Sequence, residues 1–349
     1  MDRRFLGVVV VAVVLSAAAP GFAQQTGGAC DRACLTGIAD AYLAALVAHD
    51  PSRAPMAPNA KFTEQAQVLA VGEGLWKTAA PGSTGFRIPV PDPVAGQIGM
   101  IVMMKANLGP APAGPARGAQ PPPAPTGPID VQLALRLKVQ NRRIIEAEHI
   151  YARITSDASL RNLQTPRPAL LATVPAAERI SRELMLLIGN SYYDSIVQSD
   201  GNAAPYADDC GRRENGMHTA GAGAPPPAPG GRGRAGGAPG GFPILGCAEQ
   251  MNTRGFSYIV SIDLRRVWIA DEEKGLVFGL TMFRHPFEEK TLTILAPDGT
   301  TSPREMNYNP FDFESVHIFK IRGAKIHEIE AMGVSMPYRS KNGWSDFIR

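Results

Sequence analysis

The chain has 349 residues, of which 44% are hydrophobic and 19% are charged, and its formal net charge is +3. This length and composition allow two hydrophobic cores of ordinary domain size, and the small net charge argues against nucleic acid or an anionic membrane as a partner. The 36 Gly and 31 Pro residues exceed what a compact fold needs and are concentrated in a few segments, which therefore predict loops.

Residues 1–23 predict a signal peptide. Arg3 and Arg4 precede an apolar run from Phe5 to Ala19, and small residues then lead to a cleavage site after Ala23. The apolar run is too short for a comfortable transmembrane span. We therefore expect an exported protein, periplasmic or secreted, that has no membrane attachment after cleavage.

One stretch occurs twice and organises the rest of the chain. Residues Asp50–Glu64 align without a gap with Asp200–Glu214, and the residues just before each stretch also align. Two later pairs of blocks follow in the same order, with a separation that grows in two steps. Chance similarity between short Ala- and Pro-rich stretches is the alternative, but the shared order favours one unit that was duplicated and lengthened by loop insertions. We therefore predict a first unit at 24–155, a linker at 156–174 and a second unit at 175–349.

Each predicted unit begins with a helix and continues with strands. Apolar residues recur at helical spacing from Leu35 to Leu46 and from Met185 to Ile196, and each helix ends at an Asp that is followed by a turn containing Pro. Alternating apolar residues then predict antiparallel strands, which are QIGMIVMMKA, VQLALRLKV and RIIEAEHIYAR in the first unit and FSYIVSID, LVFGLTMFRH, SVHIFKI and IHEIEAMGV in the second. The expected fold class is therefore α+β.

Two low-complexity segments interrupt this pattern. Residues 106–128 lie between two strands of the first unit, and an insertion at 219–243 lies between Cys210 and Cys247 of the second. Both are dominated by Gly, Pro and Ala, so we expect extended loops that bury little surface and tolerate shortening.

The four cysteines of an exported protein predict disulfides, for which three pairings are open. Cys210 and Cys247 flank the long Gly- and Pro-rich insertion, so a bridge between them would hold its two ends together. Cys30 and Cys34 lie four residues apart at the start of the first helix, within reach of each other. A redox-active pair is the alternative reading of Cys30 and Cys34, and we favour the structural pairing.

The order of a helix and a strongly curved antiparallel sheet, in units of about 120 residues, resembles the nuclear transport factor 2-like (cystatin-like) fold. More closely, the stretches FTEQAQ, GEGLWKTA, RRENGMHT, GCAEQM, RRVWIADEEKGLVFG and IHEIEAMG are similar to a SnoaL-like domain of unknown function from exported bacterial and secreted fungal proteins. The resemblance implies two such units in tandem, each with a mostly apolar pocket between sheet and helix. The first unit has Glu64-Gln65-Ala66 where the second has Glu214-Asn215-Gly216, which puts the equivalence of the two pockets in question.

The richest polar cluster lies in the second unit. A carboxylate beside an arginine and a histidine can act as an oriented general base, so we predict Glu214, His218 and Tyr193 as catalytic residues and Arg213 and Asn215 as ligand-binding residues. Under the alternative, Glu214 and Arg213 form a structural salt bridge, His218 lies on an exposed turn, and the Tyr193 hydroxyl is satisfied within the core.

Glu64, Trp76 and Trp268 complete the predicted ligand-binding residues, with the two tryptophans in the core or in a pocket wall. Four further glutamates alternate with apolar residues on the terminal strands and could enter a pocket or an interface between the units, although we expect a solvated sheet face. They are Glu146, Glu148, Glu328 and Glu330.

Two classes of function remain open after these observations. The first is an enzyme that moves protons on a hydrophobic, oxygenated small molecule by dehydration, isomerisation or elimination, without cofactor or metal. The second is a non-catalytic module, in which two units packed as an internal pseudo-dimer hold a small-molecule ligand or a partner, with a homo-oligomer also open. The fold alone does not decide between them.

Overall fold

The computed structural model describes residues 30–82, 84–221 and 245–344. The predicted signal peptide and most of the second Gly- and Pro-rich segment lie outside these residues. Both predicted disulfides are present, with Cα–Cα distances of 5.2 Å for Cys30–Cys34 and 5.9 Å for Cys210–Cys247. They are compatible with an oxidising extracellular compartment.

The first half consists of one long helix, one short helix and seven strands. They are α1 (Arg32–Val47), β1 (Met56–Glu64), β2 (Gln67–Leu69), α2 (Leu75–Thr78), β3 (Ala79–Ala80), β4 (Arg87–Asp92), β5 (Gln97–Ala106), β6 (Ile129–Gln140) and β7 (Arg143–Arg153). The strand order is β2-β1-β7-β6-β5-β3, and β4 also pairs with β5. All pairs are antiparallel except β1 with β7.

Two short helices, α3 (Asp157–Asn162) and α4 (Pro168–Leu171), lead into the second half. Its elements are α5 (Arg182–Gln198), β8 (Tyr206–Glu214), β9 (Met217–Ala220), α6 (Cys247–Asn252), β10 (Ser261–Asp271), β11 (Leu276–His285), β12 (Thr291–Leu295), β13 (Thr301–Glu305), β14 (Phe311–Arg322) and β15 (Lys325–Pro337). The main sheet has the order β10-β11-β14-β15-β8-β9, with β8 parallel to β15, and β12 pairs with β13 in a separate hairpin.

The strand order is the same in both halves when β1, β7, β6 and β5 are matched with β8, β15, β14 and β11. Local details match as well. Asp50 and Asp200 each cap a short turn after the long helix, where they accept a hydrogen bond from the second residue on. Glu64 ends β1, which runs parallel to β7, and Glu214 ends β8, which runs parallel to β15. The α+β class expected from the sequence is confirmed, and the architecture is consistent with a curled sheet around one long helix.

One predicted strand is wrong. The stretch FSYIVSID begins in an irregular segment, and β10 starts only at Ser261. Phe256, Tyr258 and Ile259 still pack on the hydrophobic core between α5 and the sheet of the second half. Their alternation therefore reflects contact with that core from a loop rather than pairing in a sheet.

Each long helix covers the inner face of its own sheet. From α1, the buried side chains include Leu35, Tyr42 and Leu46. From α5, they include Tyr192 and Tyr193. Because burial of one large apolar side chain stabilises a fold by roughly 1.5–3 kcal/mol, these stripes anchor the helices.

A third core lies between the outer faces of the two sheets. Alternate residues of strands from both halves meet there, including Ile101, Ala134 and Ile150 from the first half and Ile269, Leu276, Phe278 and Ile318 from the second. All ten residues of β11 are buried for this reason, since one face packs on α5 and the other on the opposite sheet. The molecule is thus built from two sheets packed face to face.

Gly99 is required at the centre of this contact. A Cβ atom at Gly99 would lie 2.3 Å from Cγ of Phe278, which no side chain could accommodate without displacing the ring. In the alignment of the halves, Gly99 of β5 and Phe278 of β11 hold the same position. The two equivalent positions are therefore complementary rather than identical.

Ion pairs cross between the halves in a reciprocal manner. Arg32, at the start of α1, pairs with Asp271 at the end of β10. Arg182, at the start of α5, pairs with Asp92 at the end of β4, with 2.8 Å between nitrogen and oxygen. Arg32 aligns with Arg182 and Asp92 with Asp271, so each half offers the other the same donor and acceptor, as in a two-fold interface.

The four glutamates expected on a solvated face are instead paired and at least partly buried on the outer faces of the sheets. Glu148 is buried and accepts hydrogen bonds from Arg136 of its own sheet at 2.8 Å and from Arg266 of the other at 2.5 and 2.6 Å. Glu328 and Glu330 both pair with Arg167 of the linker, and the partly buried Glu146 pairs with Arg136. The solvated-face prediction is wrong because the opposite sheet covers Glu148, and Arg167 of the linker covers Glu328 and Glu330.

The first Gly- and Pro-rich loop also crosses between the halves. The backbone N–H of Arg117 donates to the carbonyl of Asn307 at 3.0 Å, and the N–H of Asn309 donates to the carbonyl of Pro115 at 2.9 Å. Ala116 and Tyr308 form an isolated β-bridge there. The loop is largely exposed, as its composition predicts, but it has a defined docking place on the second half.

Glu314 should make the stability of the protein depend on pH. Its side chain is 2% exposed, and neither carboxylate oxygen has a hydrogen-bond partner among the described residues. Burial and the charge of Glu148 raise its pKa from 4.5 to about 8, against the opposing effect of Arg266. The folded protein therefore keeps a proton that the unfolded chain loses above pH 4.5, so stability falls as pH rises towards 8, by an amount on the order of a few kcal/mol.

We expect Glu314→Gln to flatten this dependence. Glutamine is the residue that the first half carries at the aligned position, Gln132 of β6. Chemical unfolding between pH 5 and 9 measures the effect, with the exposed Glu288→Gln as the control. An unchanged slope in Glu314→Gln would show that Glu314 does not hold the proton.

Candidate functional site

The inner face of the second sheet carries a polar cluster inside a wall of aromatic rings. Elements from three parts of the half meet there, namely the end of β8, the middle of α5 and the middle of β14. Tyr192 and Tyr193 contact the rings of His317 and Phe319, with centroid separations of 5.2–5.9 Å. We call the group Arg212, Glu214, Tyr192, Tyr193 and His317 the Glu214 cluster.

Glu214 ends β8 on the face that points towards α5. Its carboxylate accepts no hydrogen bond from a described residue, and burial raises its pKa while the charge of Arg212 opposes the rise. Part of the side chain remains accessible at the surface of the protein. A carboxylate with this environment holds a proton more tightly than usual and can still exchange it with a bound molecule.

Arg212 precedes Glu214 by two residues, so strand alternation places both side chains on one face. Its Nε donates to Thr219 Oγ1 at 2.9 Å, and Nη1 donates to the Tyr192 hydroxyl at 3.1 Å. The side chain is buried, and its guanidinium also lies 5.2 Å from the ring centre of Phe256. These contacts fix a cation beside the Glu214 carboxylate.

Tyr193 and His317 form the neighbouring pair. The Tyr193 hydroxyl and His317 Nδ1 are 3.3 Å apart. Burial lowers the pKa of His317 to about 3, so the ring is neutral at physiological pH, and burial raises the pKa of both Tyr192 and Tyr193. Neutral phenols and a neutral imidazole are therefore available as hydrogen-bonding groups in this apolar surrounding.

The edge of the cluster is formed by the segment that follows the second disulfide. Gln250 of α6 donates its Nε2 to the carbonyl of Thr219 at 2.8 Å, and its Oε1 has no partner among the described residues. Burial raises the pKa of Tyr258 to about 12, with Arg304 opposing the rise and Glu214 contributing to it. The Cys210–Cys247 bridge joins β8 to α6 and so holds this edge against the sheet.

The corresponding place in the first half is filled by a different and closed network. His149 of β7 lies between Glu64, at 3.1 Å from its Nδ1, and the Tyr42 hydroxyl, at 3.0 Å from its Nε2. Glu64 also accepts a hydrogen bond from the backbone N–H of Leu75 at 2.9 Å. A proton on Nδ1 lets His149 donate to Glu64 while its Nε2 accepts from the Tyr42 hydroxyl. Glu64 is therefore saturated by the protein itself.

Two features of the predicted site are placed differently from the expectation. Arg213 points to the outer face, where its Nη1 donates to the carbonyl of Asn162 at 3.2 Å, and Arg212 is the cation beside Glu214. His218 pairs directly with Arg213 across the hairpin and so shares that outer face. Strand alternation separates both residues from Glu214. The first half also has a histidine at its glutamate, His149, which the sequence comparison missed.

The remaining predicted residues have identifiable positions. Asn215 exchanges two side-chain hydrogen bonds with the backbone of Gly333, at 3.1 and 3.0 Å, and Gln65 does the same with Tyr151 in the first half. Each side-chain amide continues the hydrogen bonding of its sheet, so Gln65 and Asn215 have the same structural role. Trp76 is fully buried beside Tyr42. Trp268 is 50% exposed on β10 and lies outside the cluster.

Within residues 30–82, 84–221 and 245–344, no group of three or more His, Cys, Asp or Glu side chains is arranged to hold a metal ion. No helix in that part of the chain is long and apolar enough to cross a membrane.

Residues 178–333 match a family described as a domain of unknown function (DUF8021), a match that spans less than half of the chain. No curated protein matches the chain. Among solved structures, it is similar to AclR, a candidate hydroxylase from Streptomyces galilaeus, at 12% identity over 35% of this chain and 91% of AclR, with a TM-score of 0.25. It is also similar to a nuclear transport factor 2-like protein from Burkholderia thailandensis, at 15% identity over 33% of this chain and 88% of that one, with a TM-score of 0.23. The family match coincides with the half that contains the Glu214 cluster.

The two glutamates should respond oppositely to substitution by glutamine. Glu64→Gln leaves one acceptor oxygen to face both His149 and the Leu75 N–H, and should lower the free energy of unfolding by about 1–3 kcal/mol. Glu214→Gln replaces a carboxylate that has no hydrogen-bond partner among the described residues, so stability near neutral pH should stay the same or rise. Denaturant unfolding of both variants measures the difference, and a large loss in Glu214→Gln would show that Glu214 is a structural residue.

Proposed function

We propose that the protein is an exported small-molecule-binding protein whose second half transfers protons on a hydrophobic, oxygenated compound. The observation that carries the proposal is the Glu214 carboxylate, which has no hydrogen-bond partner among the described residues and lies beside the fixed Arg212 cation. A hydrogen-bonding group left without a partner in such a place is a group that a ligand can satisfy.

The chemistry follows from the charges of the cluster. The ionised Glu214 takes a proton from a carbon next to a carbonyl group of the substrate, and the negative charge moves to the carbonyl oxygen. Arg212 and the Tyr192 hydroxyl, which are 3.1 Å apart, donate hydrogen bonds to that oxygen. Return of the proton to a different atom gives isomerisation, and loss of a neighbouring hydroxyl as water gives dehydration.

The surrounding rings select the substrate. Tyr192, Tyr193, Phe283 and Phe319 are buried around His317, so the wall is apolar except for hydroxyl and imidazole groups. An apolar ring system with one or two oxygens would fit this lining, since it loses little hydration on binding. Tyr193 and His317 then position such an oxygen rather than exchange protons with the medium.

We also propose that the halves are tandem copies of one unit arranged as an internal pseudo-dimer. The equal strand orders and the reciprocal pairs Arg32–Asp271 and Arg182–Asp92 support this origin. Export is supported by the two disulfides. Under this proposal the first copy has become a support, because its glutamate is held by His149 and Leu75.

A ligand-binding module without turnover is the second candidate function. It is favoured by the position of His218, which leaves the Glu214 cluster without a titrating histidine, since His317 is kept neutral by burial. In that case Arg212 and Glu214 would only orient a bound molecule. The enzyme and the binding module differ in whether the bound ligand is converted to a product.

The test begins with mass spectrometry of compounds that co-purify with the full chain, followed by a screen of cyclic ketones and hydroxyketones. We expect Glu214→Gln to lower turnover by at least a hundredfold, because general-base catalysis contributes about 10²–10⁴-fold. Asp208→Asn, which changes an exposed carboxylate on the same strand, should leave turnover unchanged. Turnover should also rise with pH through the raised pKa of Glu214, since only the ionised form takes a proton.

Equal turnover in Glu214→Gln and the unaltered protein would sink the catalytic proposal. If Glu214→Gln weakens binding of a ligand that the unaltered protein does not convert, the second half is a binding module.

A further inference from the structure

A cleft of about 420 Å³ opens on the first half, away from the Glu214 cluster. It lies between the outer side of α1 and residues 81, 82 and 84–87, with β5 as its floor. Its lining includes Leu43, Ala44, Phe86, Arg87, Val102 and Met104. Among the described residues that line it, only Thr84 and Arg87 have polar side chains. We call it the first-half cleft.

The second half has larger side chains at the corresponding place. Leu43 and Ala44 of α1 align with Tyr193 and Asp194 of α5. Asp194 pairs with Arg265 at 2.7 Å, and the Arg265 guanidinium lies 5.5 Å from the ring centre of Tyr193. The ring and the ion pair together occupy the place where the first half has a leucine and an alanine. The smaller residues of α1 therefore open the cleft.

Arg87 supplies the polar end of the cleft. Its guanidinium pairs with Asp40 of α1, and both side chains are well exposed, at 37% and 49%. A pair this exposed adds little to stability, so Asp40 can return to water at low cost. The planar guanidinium fork is suited to a carboxylate, and the contact with Asp40 shows that one fits at this position.

We propose that the first-half cleft binds an amphipathic monocarboxylate of the fatty-acid type. The aliphatic chain lies on Val102 and Met104, and the carboxylate takes the place of Asp40 on Arg87. The volume falls within the range of about 300–1,000 Å³ typical of small-molecule sites. A neutral lipid would lack the group that Arg87 recognises, and a dicarboxylate would place a second charge on an apolar floor.

Titration calorimetry of the full mature chain with dodecanoate and with dodecanol tests the proposal. Dodecanoate should bind at least tenfold more tightly than dodecanol, and Arg87→Gln should remove this preference. Leu43→Tyr introduces the residue that fills the second half and should weaken dodecanoate binding at least tenfold. Leu187→Tyr places the same residue on an exposed site of α5 and serves as the control.

Val47→Trp blocks the other end of the cleft and gives a second test if Leu43→Tyr does not fold. Hydrogen exchange of the unaltered protein provides a third, because dodecanoate should protect residues 79–87 and 97–106. Absent binding, binding that survives both blocking variants, or protection confined to the second half would overturn the proposal. If dodecanoate and dodecanol bind with equal affinity, and Arg87→Gln changes neither affinity, the cleft does not recognise a carboxylate.

Discussion

The packing of two sheets face to face is the constraint on which the rest of the structure depends. Because each sheet covers the outer face of the other, strand residues that would meet water in an isolated unit are buried. Polar residues on that face must then be satisfied across the contact, as Glu148 is by Arg266. Removing one partner of such a pair costs more than the pair contributes, since a lone buried charge remains. The outer faces of the two sheets therefore form the contact between the halves.

The inner faces of the two sheets carry different residues at aligned positions. Phe62 of the first half aligns with Arg212 of the second, and Leu135 aligns with His317. The same backbone frame thus carries a ring and an aliphatic group in one half and a cation and an imidazole in the other. His149 is the reverse case, since Ala331 takes its place beside Glu214. Equivalent glutamates therefore have one saturated and one open environment.

The sequence predicts the two long helices, the long strands β5, β6, β7, β11, β14 and β15, and both disulfides, because apolar spacing and cysteine position are local signals. It also contained the information that Arg212, and not Arg213, shares a face with Glu214, since residues two apart on a strand point the same way. His149 and His317 were missed because a single histidine in an apolar strand does not reveal its neighbours. The burial of Glu148 and Glu330 was missed for another reason. The burial of Glu148 depends on Arg266 of the other sheet and that of Glu330 on Arg167 of the linker, and the pattern of one strand shows neither.

The contact between Gly99 and Phe278 limits what either half can do alone. These positions are equivalent in the alignment, yet one has no side chain and the other has a large ring that enters the space so left. Two copies of the first half would meet through a void, and two copies of the second through colliding rings. This surface of each half therefore fits the other half and not a second copy of itself. Because both halves lie on one chain, the two complementary surfaces are always present in equal number.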